Sequence, residues 1–305
     1  MSTGQATTDD YQDRARRIID FPLIAMIIAF AAIMGPAGLA AGLLEKALPT
    51  SGPAVLVGQL IVAAVILASY KLVVPHLGFR RHDDLSGPGS IRQLGTGLGV
   101  GTLLFALIVA IAAIAGVYRL AGIGDTSNLA ASLVRDGIFP AVAEEVIFRA
   151  ILFRWFEEFA GTWAALILSS ALFGLSHLDN PGADTFSTVA ITLEGGILLG
   201  AAYMLTRRLW FPMGVHASWN LTQGEVFDIP VSGNDAHGLL EARLQGPALL
   251  TGGGFGLEAS LISILIGTAA GLGILWLALR RGQLVQPWWA RPCQVTEPKV
   301  PVADR

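Results

Sequence analysis

Residues 132–153 read SLVRDGIFPAVAEEVIFRAILF, and this stretch decides the fold. It is long enough to cross a bilayer, which takes about 20 mostly apolar residues. Yet it carries Arg135, Asp136, Glu144, Glu145 and Arg149. A charge in lipid is costly, so an ionisable residue in a span faces the bundle interior and has a partner. The stretch therefore reads as a membrane helix whose charges point at other helices.

The rest of the chain supplies those helices. Of its 305 residues 53% are hydrophobic and only 14% charged, whereas soluble domains carry roughly a quarter charged residues. Further apolar stretches lie at 21–44, 53–75, 94–117, 162–178, 186–206, 209–224 and 259–279. The expected fold is an all-α polytopic membrane protein, with about eight transmembrane helices in one bundle. Residues 80–92 and 225–257 read as polar loops, and the chain from Arg280 as a weakly ordered, Pro-rich tail. The expected organisation is a cytoplasmic N-terminal segment (1–20), a transmembrane domain (21–280, motif core 130–225) and a cytoplasmic tail (281–305). Residues 1–20 are too long for a typical signal-peptide n-region, and the apolar stretch behind them is longer than an h-region. The first helix is thus expected to be retained.

Cations set the orientation. With the N-terminus in the cytoplasm, all of the 20 Lys and Arg except Lys46, Arg119, Arg135 and Arg243 fall at or near that side. An even number of spans then places both termini inside. The formal net charge of −3 gives no basic field for nucleic acid. The single cysteine, Cys293, excludes an intramolecular disulfide and a cysteine metal cage. Small faces at 94–101 (LGTGLGVG) and at Gly196/Gly200 suit close helix packing. There is no internal repeat of the kind transporters show.

Polar residues in the expected spans come as three pairs at helical spacing. Residues four apart on a helix are neighbours, so Arg149 is the natural partner of Glu145. Glu144 points about 100° away and is left free to exchange a proton. Phe173 and His177 share a face in FGLSH, and His216 and Asn220 share one in HASWN. Glu144 and His177 can hold and deprotonate a water, and His216 and Asn220 can donate to the oxyanion that forms. The same Glu144, His177 and His216 could instead bind a divalent metal such as zinc, although no HExxH is present. Both readings stay open. Glu194 reads as a packing residue or as a neighbour of a site histidine. His76, His82 and His237 have no partner signal.

In order, EEVIFR, FGLSH and HASWN fit EExxxR, FxxxH and HxxxN. The set resembles the CPBP family of intramembrane proteases, also called the CAAX protease or Abi family, which includes the Rce1-type prenyl endopeptidases. That resemblance covers about residues 130–225. It implies an endopeptidase that acts on a membrane-associated protein or peptide. Glu144 and His177 would activate water, Glu145 and Arg149 would support the site, and His216 and Asn220 would stabilise the oxyanion. A proton-coupled transporter and a non-catalytic membrane scaffold are the competing readings. The Ala- and Arg-rich, Lys-poor composition suggests a bacterial cytoplasmic membrane.

One expectation is geometrically awkward. If a helix begins at Thr162 on the cytoplasmic side, His177 lies about 22 Å along its axis, far from Glu144. The segment 153–163 (FRWFEEFAGTW) is then expected to dip inward as an interfacial stretch before that helix starts.

Overall fold

The computed structural model describes residues 8–49, 51–125, 127 and 129–291; Cys293 and the rest of the expected tail beyond Arg291 lie outside them. The architecture is an all-α membrane bundle with one small ribbon. In chain order it comprises α1 (Thr8–Ile19), α2 (Pro22–Ala47), α3 (Pro53–Val73), α4 (Ser90–Ile114) and β1 (Tyr118–Ile123). There follow α5 (Leu129–Leu175), α6 (Thr185–Thr206), α7 (Trp210–Leu221), β2 (Leu240–Leu244) and α8 (Leu261–Arg280). α2 lies along α3, α4 along α7 and α6 along α8.

Six of these helices are long and apolar enough to cross a membrane, against the eight spans expected. The difference has two sources. The stretches 132–153 and 162–178 are the two arms of one 47-residue helical run that counts once among the six, and it turns at Gly161 with φ 84° and ψ 170°. That is backbone only glycine adopts readily. α7 with its continuation Thr222–Val226 is too short to span alone. Its sides are instead covered by protein, with Met213, Val215 and Trp219 buried.

The close approach of α4 and α7 follows from glycine. An added Cβ at Gly97 would stand 2.3 Å from the Phe211 carbonyl oxygen, and one at Gly101 2.3 Å from that of Val215. Gly95 and Gly99, on the other side of α4, would meet nothing. Gly196 and Gly200 face α5 in the same manner, against Ser170 and Leu166. Because α7 carries His216 and Asn220, this glycine seam sets the depth of half the site. Gly101→Ala should destabilise the protein by about 1–3 kcal/mol, the usual cost of overpacking, seen as a lowered unfolding midpoint in nanodiscs. Gly99→Ala should leave the midpoint unchanged.

The end of the bundle at Gly161 is tied by charge. Glu157 accepts hydrogen bonds from Arg80 at 3.1 Å, Arg207 at 3.0 Å and Thr162 at 2.7 Å. Glu158 accepts from the Arg80 backbone at 3.0 Å. Arg154 donates to the His82 carbonyl at 3.0 Å. The expected interfacial dip at 153–163 is not what forms. Trp155, Glu157 and Glu158 are buried, and the 79–80 backbone, Arg80 and Arg207 supply partners for the two carboxylates. The expected weak order of the tail also needs correction as far as Arg291. The Val285 amide donates to Thr162 Oγ1 at 2.8 Å, Arg291 caps the Glu158 carbonyl at 2.8 Å, and Trp289 stacks edge-on against Phe159.

At the other end, β1 and β2 pair antiparallel, from Tyr118 opposite Leu244 to Ile123 opposite Leu240. The expected span 94–117 therefore ends early, at Ile114, and part of the expected loop 225–257 is strand. Asp228 accepts from the Gly238 and Ala242 amides, both at 3.1 Å, and so anchors the ribbon to the end of α7.

Candidate active site

Gly161 removes the awkward distance. The helix that carries Glu144 continues past Phe153, reverses at Gly161 and runs back beside itself to His177. Glu144 and His177 lie almost symmetrically about Gly161 in sequence, as do Phe148 and Phe173, whose rings meet edge-to-face at 5.1 Å. Equal arms with equal rise per residue return to equal depth. His177 Nε2 is 4.0 Å from Glu144 Oε2.

His216, from α7, reaches the same oxygen. Its Nε2 is 3.9 Å from Glu144 Oε2. The second nitrogen of each ring is committed elsewhere. His177 Nδ1–H donates to the Phe173 carbonyl at 2.7 Å, and His216 Nδ1–H donates to Glu145 Oε1 at 2.9 Å. These bonds fix both tautomers and turn both Nε2 atoms toward Glu144. Glu145 Oε1 also accepts from Arg149 Nη1 at 3.0 Å, with both residues almost wholly buried. The expected Glu145–Arg149 pairing is present, and it does more than the spacing alone suggested, since it also holds His216. The Arg149 guanidinium lies 4.6 Å over the Phe173 ring, which connects the two arms of α5.

Glu144 itself is different. Its side chain keeps 28% of its exposure, and Oε2 has no hydrogen-bond partner among the described residues. Asn220 donates one amide hydrogen to the Asp136 carbonyl at 3.0 Å, which leaves its second N–H for another acceptor. The structure thus brings Glu144, Glu145, Arg149, His177 and His216 into one cluster. Asn220 joins it through a shared cavity of about 40 Å³ that His177, His216 and Phe173 also line.

Wide helical turns of the i→i+5 type follow both motif carboxylates and Asn220, at Val146–Phe153 and Thr222–Val226. Such turns recur at functional sites because they re-aim side chains. A third one, Thr192–Gly196, carries Glu194 into the same cavity, and Glu258 lines it as well. Glu258 was not singled out from sequence. An acid three residues before an apolar helix, beside the Ser260 N-cap, reads as a helix-end residue. Burial pushes its carboxyl up to about 7, against the pull of a hydrogen bond from the Ser232 amide.

As a metal site the cluster is loose. Tetrahedral zinc with bonds near 2.0–2.1 Å holds neighbouring ligand atoms about 3.3 Å apart, less than the 3.9 and 4.0 Å found here. Among the described residues no three of His, Cys, Asp and Glu converge closely enough to hold an ion.

Fold and site together define an all-α polytopic membrane protein with a buried glutamate–histidine cluster. Residues 126–222, about a third of the chain, match the family described as Type II CAAX prenyl endopeptidase Rce1-like, and over this segment the chain is similar to that family. No curated protein and no solved structure matches the chain.

Proposed function

We propose that the chain is an intramembrane endopeptidase that hydrolyses a peptide bond in a membrane-associated protein or peptide. The observation that carries this reading is the convergence of two histidine Nε2 atoms, at 4.0 and 3.9 Å, on one glutamate oxygen that has no hydrogen-bond partner among the described residues. A water held on Glu144 Oε2 can be shared with these two nitrogens. It can donate only two hydrogens, so one of the three must carry a proton. His216 is suited to that part, because the Glu145 carboxylate behind Nδ1–H offsets positive charge on the ring.

The roles then follow. Glu144, with His177 orienting the water, takes one proton as the oxygen attacks the carbonyl carbon. His216 Nε2–H and the free N–H of Asn220 stabilise the resulting oxyanion. When the tetrahedral intermediate collapses, the C–N bond breaks and Glu144 returns the proton to the leaving amine. Glu145 and Arg149 hold His216 without touching the substrate. The cationic loops at the Gly161 end support an orientation with both termini in the cytoplasm of a bacterial membrane.

Two experiments test the reading. Proteomics of membrane peptides in cells carrying wild type or Glu144→Ala should yield fragments that depend on Glu144; a fragment set common to both would remove Glu144 as the base. In purified protein, Asn220→Ala should lower kcat about 10²-fold with little change in KM, since its donor acts on charge formed only in the transition state. Hydrolysis that survives exhaustive chelation assigns the water to Glu144 and His177 alone. Loss to a chelator with recovery on adding zinc would assign it to a metal instead.

A further inference from the structure

The cavity wall holds two carboxyls that this mechanism does not use. Glu194 is 2% exposed, and its Oε2 has no hydrogen-bond partner among the described residues. Glu258 is also 2% exposed and accepts from the Ser232 amide. No Lys or Arg pairs with either among the described residues. Both line the cavity shared by His177, His216 and Asn220.

A packing role explains this poorly. An apolar side chain at either position would pack in a membrane bundle without the cost of burying a carboxyl. The backbone opposite is instead shaped to admit the acid. An added Cβ at Gly267 of α8 would stand 2.8 Å from Glu194 Cβ and 2.9 Å from its Oε2. Glu194 also sits in the wide turn Thr192–Gly196, which turns it out of the regular helical track. The remaining wall is apolar and aromatic, with Ile191, Leu198, Leu199, Val215, Phe173 and Trp219. Such a wall suits the methylene stem of a long basic side chain, whose charged head then meets the acids.

We propose that Glu194 and Glu258 form a subsite for a cationic side chain, lysine or arginine, flanking the scissile bond. This rests on the peptidase reading and adds a substrate class to it. The cation relieves the repulsion between two buried carboxyls and supplies the hydrogen-bond donors that Glu194 Oε2 lacks. It also positions the neighbouring carbonyl beside Asn220 and His216, in the same cavity.

The test uses full-length protein in nanodiscs. The substrates are lipid-anchored peptides in which one lysine is walked through each position, every peptide paired with its norleucine counterpart. Wild type should prefer lysine over norleucine at one position by roughly ten- to a hundredfold in kcat/KM, the range for a charge-assisted contact. In Glu194→Gln and in Glu258→Gln the ratio should collapse toward one. Gln keeps the shape of each side chain, and an unfolding midpoint checks that each variant is folded. The same peptides, labelled and bound to Glu144→Gln protein, give a second readout that needs no turnover. A lysine preference in binding that Glu194→Gln abolishes supports the subsite even if no peptide is cleaved, an outcome that sinks only the peptidase reading. Equal treatment of lysine and norleucine at every position, or a preference that survives the Glu194→Gln/Glu258→Gln double variant, overturns it.

Discussion

Glu144→Gln should lower kcat for peptide hydrolysis by about 10³-fold, within the 10²–10⁴ range a positioned general base contributes, while the protein stays as stable as wild type. Both halves of this result come from the same geometry. Glu144 Oε2 makes no hydrogen bond among the described residues and the side chain is more than a quarter exposed. Replacing it with an amide of the same size therefore breaks no hydrogen bond, only the longer charge contacts to His216 and His177 at 3.9 and 4.0 Å. The expected cost is small, below about 1 kcal/mol, at the low end of what single substitutions cost. What the amide cannot do is accept the proton of the attacking water. The neighbouring Glu145→Gln should behave in the opposite way, with a clear loss of stability, because Glu145 Oε1 is held by both Arg149 and His216. If the two variants lost activity and stability in parallel, the division of labour between the adjacent glutamates would be wrong.

The pairing of Glu145 with Arg149 was legible in the sequence because it is local. The i, i+4 spacing of Glu145 and Arg149 is a property of one helix, and the structure repeats it at 3.0 Å. The apolar stretches were legible for the same reason, since hydrophobic length is read residue by residue. The hairpin at Gly161 was not. A single glycine at φ 84° reverses the chain, and nothing in FAGTW distinguishes it from a glycine within a helix. Once the reversal is known, the equal arm lengths to Glu144 and His177 account for their meeting. The β1–β2 ribbon was hidden by its non-local pairing, and its short strands carry little alternation of their own. Glu258 was hidden by position: before an apolar helix an acid looks like an end-group, and only the fold turns it into a cavity wall. The bond from His216 to Glu145 joins residues far apart in sequence, so motif spacing on each helix could not show it.

Arg149→Leu should destabilise the protein by about 3–5 kcal/mol, the usual consequence of stranding one member of a buried ion pair. Arg149 and Glu145 are 1% and 0% exposed, so water cannot take the missing partner's place. The loss also removes the guanidinium from the Phe173 ring, loosening the contact between the two arms of α5. Chemical or thermal unfolding in nanodiscs reads this directly. The informative comparison is Glu145→Leu/Arg149→Leu. Exchanging a whole buried pair for apolar groups is often neutral or stabilising, so the double variant should recover most of the lost stability. It should not recover activity. Without the Glu145 carboxylate, His216 Nδ1–H has lost its acceptor, and the ring is neither oriented toward Glu144 nor compensated when it carries a proton. Losing such an orienting carboxylate elsewhere costs up to about 10⁴ in kcat. A double variant that is both stable and active would show the pair to be a packing device alone, with His216 held in place by other means. A double variant that is stable and slow makes Glu145 the group that positions His216. Arg149 then has a separate task, keeping that carboxylate charged inside the bundle.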